Sequence, residues 1–197
     1  GIKIYYKDGE VMAEAQQEMN NWQVGWDNPQ TGRWYYLEVT WHPDKGLRML
    51  IDLEEVAHAS DNAVRDPTEG NTNVYVGRAN TDMRRENYVA AMVDELEMCY
   101  GDRERLVKFG FIPRGRPTFY NIDMDAKSGS KLAHSSLDIS LFNNPSIVSG
   151  KIAGALSLDG MNQYASLGDQ RATCLGNLDR CRHGLLLATW VRPGQLQ

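Results

Sequence analysis

The sequence predicts an all-β protein whose strands form two antiparallel sheets packed face to face as a β-sandwich. Short segments rich in aromatic and β-branched residues recur along the chain, and several alternate apolar with polar residues. Clusters of Gly, Pro, Asn and Asp separate these segments, and helix signals are nearly absent. Many short strands joined by turns, without helices between them, are typical of a sandwich.

The predicted strands fall into two groups along the chain. The first group comprises IKIYY (2–6), RWYYLEVTW (33–41), LRMLIDL (47–53), NVYVGRA (73–79) and VAAMVDELEMCY (89–100). The second group comprises TFYNIDMD (118–125), AGALSLDG (153–160), QYASLG (163–168) and GLLLATWVRP (184–193). Between the groups, IPRGRP (112–117) carries two prolines and two arginines, which favours an exposed linker.

Composition excludes several classes of function. The chain has 197 residues, of which 42% are apolar, and a net charge of -5, so it is long and apolar enough to fold around one or two cores. The acidic balance and the absence of a Lys/Arg run argue against nucleic acid and anionic membrane partners. No apolar run reaches the roughly 18 residues of a membrane span, so direct membrane insertion is not expected. The start, GIKIYYKDGE, lacks an initiator Met and a signal peptide, and we expect that it is not the natural start.

Two stretches resemble the laminin G-like domains of the concanavalin A-like jelly-roll superfamily, to which pentraxins also belong. GKIAGALSLDGMNQYASLG followed by CLGNLDRCRHGLLLATWVRP resembles the N-terminal half of such a domain. GRWYYLEVTWHPDKGLRMLIDLEEVAHAS, VYVGRA and MVDELEMCY resemble its C-terminal half. The residues that carry the resemblance are Gly150, Gly154, Asp159, Gly160, Tyr164 and Trp190 in the first, and Gly32, Trp34, Trp41, Gly77 and Asp94 in the second.

The two halves stand in reverse order. Residues 1–105 resemble the C-terminal part of a laminin G-like domain, 106–116 form a linker, and 117–197 resemble the N-terminal part of a second one. A circularly permuted single domain is the alternative, because domain termini often lie close together. We favour a tandem array, since a strand that the family places between the halves is missing at both ends. The halves can still be complementary and pack as a nearly complete sandwich.

The segment EVMAEAQQEM (10–19) has the most helix formers in the chain. The KDG turn before it and the resemblance both favour a strand followed by a loop.

The resemblance also implies a local disulfide between Cys174 and Cys181, and with it an extracellular setting, either secreted or in the ectodomain of a membrane protein. The alternative is two free thiols in a cytosolic protein. Cys99 lies in a predicted strand, and the sequence leaves open whether it is a buried apolar residue or half of a bridge to a missing segment. Its distance from the pair argues against a zinc site.

Catalysis has little support in the sequence. In VDELEM (93–98), strand alternation puts Glu95 and Glu97 on one face and Asp94 on the other. Related jelly-roll glycosidases place a third acid two residues before the first glutamate, where this chain has Val93. The four histidines are dispersed and no nucleophile motif is present, so we expect a protein that is not an enzyme.

Calcium is the cofactor that the resemblance suggests, although no cofactor is firmly indicated. Hard oxygen ligands are available from Asp94, Asp159 and Asn162 and from the loop RANTDMRREN (78–87). Arg78 opposes a cation at the place where pentraxins carry acidic and amide residues. The carboxylates also fit a plain role in turns, where they bond backbone amides.

Five tryptophans divide into core and surface candidates. Trp34, Trp41 and Trp190 occupy positions that the family buries. Trp22 and Trp26 are the best candidates for ligand binding at the surface, although hydrophobic packing is the favoured interpretation for each. The Asp52–Leu53 dipeptide stands where the family has an Asn-Gly or Asp-Gly hairpin. Because leucine tolerates a positive φ poorly, we expect that turn to differ in type or to be shifted.

These observations predict a non-catalytic module of a larger extracellular protein, serving adhesion, matrix architecture or assembly. Its partners would be other extracellular proteins or other repeats of the same parent protein, with glycans as a further candidate. The alternative is a lectin domain that binds carbohydrate with the help of calcium. Function in this fold lies in the loops, so the resemblance implies only a class.

Overall fold

The computed structural model describes residues 1–27, 29–64, 72–79, 88–100, 118–133, 135 and 137–194. Within these residues the chain forms β-strands and one 3-10 turn but no α-helix, which confirms the predicted all-β antiparallel sandwich class. None of these residues belongs to a helix long and apolar enough to cross a membrane. The predicted linker, 106–116, lies outside the described residues.

Most predicted strands are present, and several short ones were not predicted. The strands of the first range are β1 Ile2–Lys7, β2 Glu10–Gln17, β3 Asn20–Asp27, β4 Tyr35–His42, β5 Gly46–Ile51, β6 Glu54–Ala59, β7 Ala63–Val64, β8 Asn73–Val76 and β9 Ala90–Tyr100. Those of the second range are β10 Thr118–Ile122, β11 Lys127–Ser128, β12 Lys131–Leu132, β13 Ser140–Phe142, β14 Ser146–Ser149, β15 Gly154–Asp159, β16 Tyr164–Asp169 and β17 Leu185–Pro193. The 3-10 turn is Leu178–Arg180. The preference for a strand over a helix at 10–19 is confirmed by β2.

The strands are distributed over three sheets. The largest has eight strands in the order β14-β15-β9-β17-β4-β5-β6, with β10 also paired to β9. A four-stranded sheet has the order β1-β2-β3-β7, and a five-stranded sheet has the order β11-β12-β13-β16-β8. Side chains from all three sheets meet in one hydrophobic core. Both smaller sheets therefore pack against the same core as the large sheet.

Strands from the two ranges alternate within these sheets. In the large sheet, β17 lies between β4 and β9, while β10 and β15 pair with the other edge of β9. In the five-stranded sheet, β16 pairs with β8. Residues before and after the linker therefore build shared sheets. Whether they represent two successive repeats or one permuted domain stays a prediction.

Strand alternation determines which side chains enter the core. Along β4, Leu37, Val39 and Trp41 point into the main core, where each is at most 4% exposed. They meet Leu156 and Leu185 from the second range in the same cluster. Burying a large apolar side chain stabilises the fold by about 1.5–3 kcal/mol. The shared core therefore holds the first and second ranges of the chain together.

The β5–β6 hairpin turn contradicts the sequence-based expectation. Asp52 and Leu53 both have positive φ, 52° and 73°, so the turn keeps the geometry expected for Asp-Gly. The Asp52 side chain supports it, because its Oδ1 accepts the Tyr36 backbone N–H at 2.9 Å and its Oδ2 accepts from Arg33 at 3.2 Å. Leu53 adopts the unfavourable conformation with its side chain 69% exposed.

Candidate functional site

The most concentrated group of potential ligand atoms lies at the point where β9 changes partner. Along one edge, β9 pairs with β15 over Ala90–Val93 and with β10 over Leu96–Tyr100. Asp94 and Glu95 occupy the interval between these two pairings. Asp125, from the segment that follows β10, brings its carboxyl to the same place, and one oxygen from each of the three side chains lies within 4.8 Å of the others. We call these three residues the acidic cluster.

Asp94 is the buried centre of the cluster, with its side chain 0% exposed. Its Oδ2 accepts two backbone hydrogen bonds from the segment between β14 and β15, from Lys151 N–H at 2.8 Å and Ile152 N–H at 2.9 Å. Its Oδ1 is buried and has no hydrogen-bond partner among the described residues. The carboxylate thus binds the incoming loop with one oxygen and keeps the other unsatisfied.

A β-bulge brings Glu95 to the side of Asp94. In the pairing of β17 with β9, Ala188 stands opposite Glu97 and Trp190 opposite Asp94, so one residue of β17 faces two of β9. Glu95 has a φ of 49°, which breaks the alternation of the strand. The expectation that Glu95 lies on the face opposite Asp94 is therefore wrong, because that expectation assumed an unbroken strand.

Asp125 reaches the cluster because the backbone packs closely around it. Its Oδ1 accepts the Gly154 N–H at 2.6 Å. A Cβ on Gly154 would lie 2.7 Å from the Asp125 Cα, and a Cβ on Gly150 would lie 2.7 Å from the Asp94 Oδ2 and would also collide with the Gly154 carbonyl. Glycine at 150 and 154 is thus required for this approach of the loop to the two carboxylates.

The pKa values of Asp94 and Glu95 are both raised. Burial is the largest cause of the raised pKa of Asp94; the backbone N–H groups of Ile152 and Lys151 oppose the increase and the charge of Asp125 adds to it. Burial also raises the pKa of Glu95, followed by the charges of Asp94, Asp123 and Asp125. The charge of Asp125 therefore makes both Asp94 and Glu95 harder to ionise, as expected for like charges at short range.

Asp159 and Asn162 do not join Asp94. Asp159 lies at the end of β15, where its Oδ1 accepts the backbone N–H groups of Met161 at 2.8 Å and Asn162 at 3.3 Å. The Asn162 carbonyl accepts from the Asn143 side chain at 2.7 Å. These two residues cap the β15–β16 turn, and among the described residues the group able to hold a metal is the acidic cluster alone.

The two tryptophans proposed for ligand binding have different surroundings. Trp22 is 3% exposed and packs edge-on against Trp41 with ring centroids 5.6 Å apart, so it has the packing role favoured from the sequence and does not form a surface site. The apolar face of β3 turns it into the core. Trp26 is half-buried and lies edge-on to Tyr35, with centroids 5.0 Å apart. Of the tryptophans expected in the core, Trp41 is fully buried.

Trp34 and Trp190, the other two tryptophans assigned to family core positions, are half-buried. Trp190 packs against Tyr36, and the Lys151 ammonium lies 4.8 Å from its ring centroid. The prediction of burial therefore holds in full for Trp41 alone.

Trp26 lines a shallow cavity of about 270 Å³ at one end of the four-stranded and eight-stranded sheets. The lining residues are Trp26, Gln30, Arg33, Tyr35, Ile51, Asp52, Glu54 and Val56. Arg33 lies over the Tyr35 ring at 4.8 Å and pairs with Asp52 at 3.2 Å. The cavity therefore combines aromatic rings with charged groups of both signs.

The predicted disulfide between Cys174 and Cys181 is present. Both cysteines are at most 2% exposed and belong to the main core, and the loop they close contains the 3-10 turn, whose Asn177 side chain accepts the Asp179 N–H at 3.0 Å. Cys99 is a buried thiol in a separate small cluster with Leu186 and Ala188. The structure shows that Cys99 is buried, and its role as half of a bridge to a missing segment stays a prediction.

Comparisons with models of protein families, with curated proteins and with solved structures found no match to this chain. The resemblance to laminin G-like domains therefore stays a prediction, and function has to be argued from the geometry.

Sequence reasoning found one member of the acidic cluster, Asp94, and missed how Glu95 and Asp125 join it. A signal for Asp125 was available in TFYNIDMD, because a strand that ends in alternating acids presents them at a sheet edge. This pattern places Asp125 beside Asp94 only when β10 is known to pair with β9. No sequence pattern predicted the bulge at Glu95.

Proposed function

We propose that this chain is a non-catalytic module of an extracellular protein that contributes to adhesion, matrix architecture or assembly. The observation that carries the proposal is the Cys174–Cys181 disulfide within the core of an all-β sandwich. Disulfides persist in oxidising compartments and are rare in the cytosol, so a core that incorporates one fits secretion.

The arrangement of the carboxylates supports a role without catalysis. A glycosidase needs two carboxyl groups that flank an accessible bond, at about 5–5.5 Å or 6.5–9.5 Å from each other. Asp94 is instead 0% exposed and bonds the backbone of the loop at 151 and 152. Such a carboxylate cannot reach a sugar bond in solution, and its position fits the support of a loop.

The edge of the four-stranded sheet supports a protein partner. Strand β1 is the terminal strand of that sheet and pairs with β2 among the described residues. Ile4 and Tyr6 lie two residues apart on it and are 36% and 37% exposed. An edge strand with exposed apolar side chains can accept a strand from another protein, because backbone pairing and apolar contact then act together.

A lectin is the second candidate, and the cavity beside Trp26 favours it. Sugars are bound by aromatic rings that contact their C–H faces and by charged groups that bond their hydroxyls. Trp26 supplies a half-buried ring, and Arg33, Asp52 and Glu54 supply the polar groups. Tyr35 is 3% exposed and supports Trp26 from the core side. The cavity lies on the four-stranded and eight-stranded sheets, apart from the β1 edge strand that the first proposal uses.

A matrix-binding experiment separates the two candidates. The chain, secreted from cultured cells and fluorescently labelled, is applied to deposited extracellular matrix before and after enzymatic removal of glycans, and in parallel to a glycan array. We expect matrix binding to persist after glycan removal and to weaken at least threefold in the double variant Ile4→Lys/Tyr6→Lys. Met161→Lys, which changes an equally apolar and 52% exposed side chain in the β15–β16 turn, is the matched control.

Binding that depends on glycans would support the lectin. Binding that disappears with the glycans, saturates on defined sugars of the array and is lost in Trp26→Ala would replace the adhesion proposal. Hydrolysis of any glycan substrate that Glu95→Gln abolishes would contradict both.

A further inference from the structure

Strand β1 turns half of its backbone groups away from the rest of its sheet. It is the terminal strand of the four-stranded sheet, and among the described residues it pairs with β2. The Gly1 amino group donates to the Gln16 carbonyl at 2.6 Å and the Gln16 N–H donates to the Gly1 carbonyl at 2.8 Å, so these residues form a hydrogen-bonded pair. Such pairs alternate with non-hydrogen-bonded pairs along an antiparallel ladder. The N–H and C=O groups of Ile2, Ile4 and Tyr6 therefore point outward from the sheet edge.

Ile2, Ile4 and Tyr6 also share the face of β1 that turns toward the core. Opposite residues of an antiparallel pair lie on the same face of a sheet. Ile4 stands opposite Ala13, which is 0% exposed and belongs to the main core. Ile4 and Tyr6 nevertheless remain 36% and 37% exposed. The end of the sheet thus leaves apolar surface that one more strand in the same sheet would cover.

We propose that β1 pairs antiparallel with β1 of a second copy of this chain, across a two-fold axis at Ile4. The two four-stranded sheets then become one continuous sheet. This inference rests on the proposed function, because it names the partner that the β1 edge accepts.

Strand β1 is complementary to itself in this register. With the axis at Ile4, this residue stands opposite Ile4 of the second copy, and Ile2 stands opposite Tyr6. These are the residues whose backbone groups point outward, so each of the pairs they form across the axis is a hydrogen-bonded pair. Their side chains are apolar or aromatic and meet on the core-facing side. Backbone and side-chain pairing therefore favour the same alignment.

Other registers of the two strands are less favourable. An axis between two residues would set outward-pointing backbone groups opposite groups that already bond β2. An axis at Tyr5 would keep the alternation but would form fewer hydrogen-bonded pairs and would place Lys3 opposite Lys7 of the second copy. Like charges directly opposite each other destabilise a pair of strands. Lysines on an edge strand commonly oppose unwanted pairing, and here they select the axis at Ile4.

The charged groups of β1 are accommodated when the axis lies at Ile4. Lys3 then stands opposite Tyr5 of the second copy, and within one chain the Lys3 ammonium already lies 5.1 Å from the Tyr5 ring centroid. Glu14 compensates the charge of Lys3 at 3.1 Å. Lys7 stands opposite Gly1, whose amino group donates to β2 and so points away from the new interface.

Two-fold pairing closes the assembly at two chains. Both copies use the same surface, and β7 at the other end of the four-stranded sheet takes no part. A single pair of strands buries less than the roughly 1,200 Å² at which stable interfaces begin. We therefore expect a weak dimer whose population rises with protein concentration.

Sedimentation equilibrium of the whole chain, from micromolar to millimolar concentration, measures this association. We expect the average mass to rise with concentration toward twice that of the monomer. The double variant Ile4→Lys/Tyr6→Lys should weaken the dimer at least tenfold, because it sets lysines opposite each other across the axis. Met161→Lys, which changes a 52% exposed side chain in the β15–β16 turn, is the matched control and should leave the dimer unchanged.

Cysteine cross-linking tests the position of the axis. Opposite Cα atoms of a hydrogen-bonded pair lie about 5.5 Å apart, which is within the range that a disulfide spans. Ile4→Cys should therefore form a disulfide-linked dimer under mild oxidation. Tyr6→Cys, an equally exposed position on the same face, is the control. Its two copies would lie four residues apart along the strands, about 13 Å, so it should cross-link at least tenfold more slowly.

Two outcomes would overturn the inference: an original protein that stays monomeric throughout the concentration range, or a Tyr6→Cys variant that cross-links as fast as Ile4→Cys. If the lysine variant fails to unfold as the original does in circular dichroism melts, the cysteine pair decides without it. A monomeric chain whose binding to matrix still depends on Ile4 and Tyr6 would overturn this inference and leave the proposed function intact. A chain that dimerises through β1 but does not bind matrix would do the reverse.

Discussion

Removal of the Cys174–Cys181 disulfide should destabilise the sandwich by an amount that follows from its loop. The two cysteines are seven positions apart, so the bridge closes a loop of eight residues. The chain-entropy model assigns such a closure about 2.5 kcal/mol. For a domain of this size, 1 kcal/mol shifts Tm by about 2–4 °C, so the expected loss is about 5–10 °C.

Two perturbations together isolate the contribution of the cross-link. The double variant Cys174→Ala/Cys181→Ala removes the bridge and both sulfurs, which are at most 2% exposed in the core. Reduction of the original protein removes the bridge but keeps both sulfur atoms. Circular dichroism melts with and without a reducing agent measure both, and Cys99→Ala is the control that should retain full sensitivity to reductant.

Reduction should lower the Tm of the original protein and should leave the double variant unchanged. If reductant shifts both proteins equally, or if neither the reduced protein nor the double variant is less stable by more than about 0.5 kcal/mol, then the loop closure does not stabilise this fold in the way proposed. The support that the disulfide lends to an extracellular role would then weaken as well.

Three further predictions concern single positions. Leu53→Gly should stabilise the protein by about 0.5–1 kcal/mol, because it relieves roughly 1–2 kcal/mol of left-handed strain at φ 73° and costs about 0.5–1 kcal/mol in chain entropy. A lower urea midpoint than that of the original protein would contradict this. Gly150→Ala should destabilise by about 1–3 kcal/mol, since the new Cβ would lie 2.7 Å from the Asp94 Oδ2, and an unchanged midpoint would show that the loop relaxes freely. The hydroxyl of Thr72 lowers the pKa of Asp169, so this carboxylate stabilises the fold above its ordinary pKa and the stabilisation is lost as the pH falls through its lowered value. Thr72→Val should raise that pKa in an NMR titration, and a pKa that stays unchanged would refute the role of the hydroxyl.

The sequence by itself determined the class of the fold. Aromatic and β-branched segments such as RWYYLEVTW and GLLLATWVRP became β4 and β17, because strand alternation is encoded residue by residue. It also predicted the Cys174–Cys181 pair, through the resemblance of the surrounding segment. These features depend on local patterns, which a reading along the chain can detect.

Tertiary structure decided the features that require two distant segments. The bulge at Glu95 arises from the pairing of β9 with β17, and Asp125 reaches the cluster only because β10 pairs with β9. The burial of Trp22 against Trp41 likewise depends on how the four-stranded sheet packs on β5 and β6. At Asp52–Leu53, a side-chain bond to Tyr36 on another strand holds a leucine in a conformation that its own preference disfavours. Each of these features depends on the free energy of contacts between residues far apart in the sequence. The local conformational preferences of single residues do not predict such contacts.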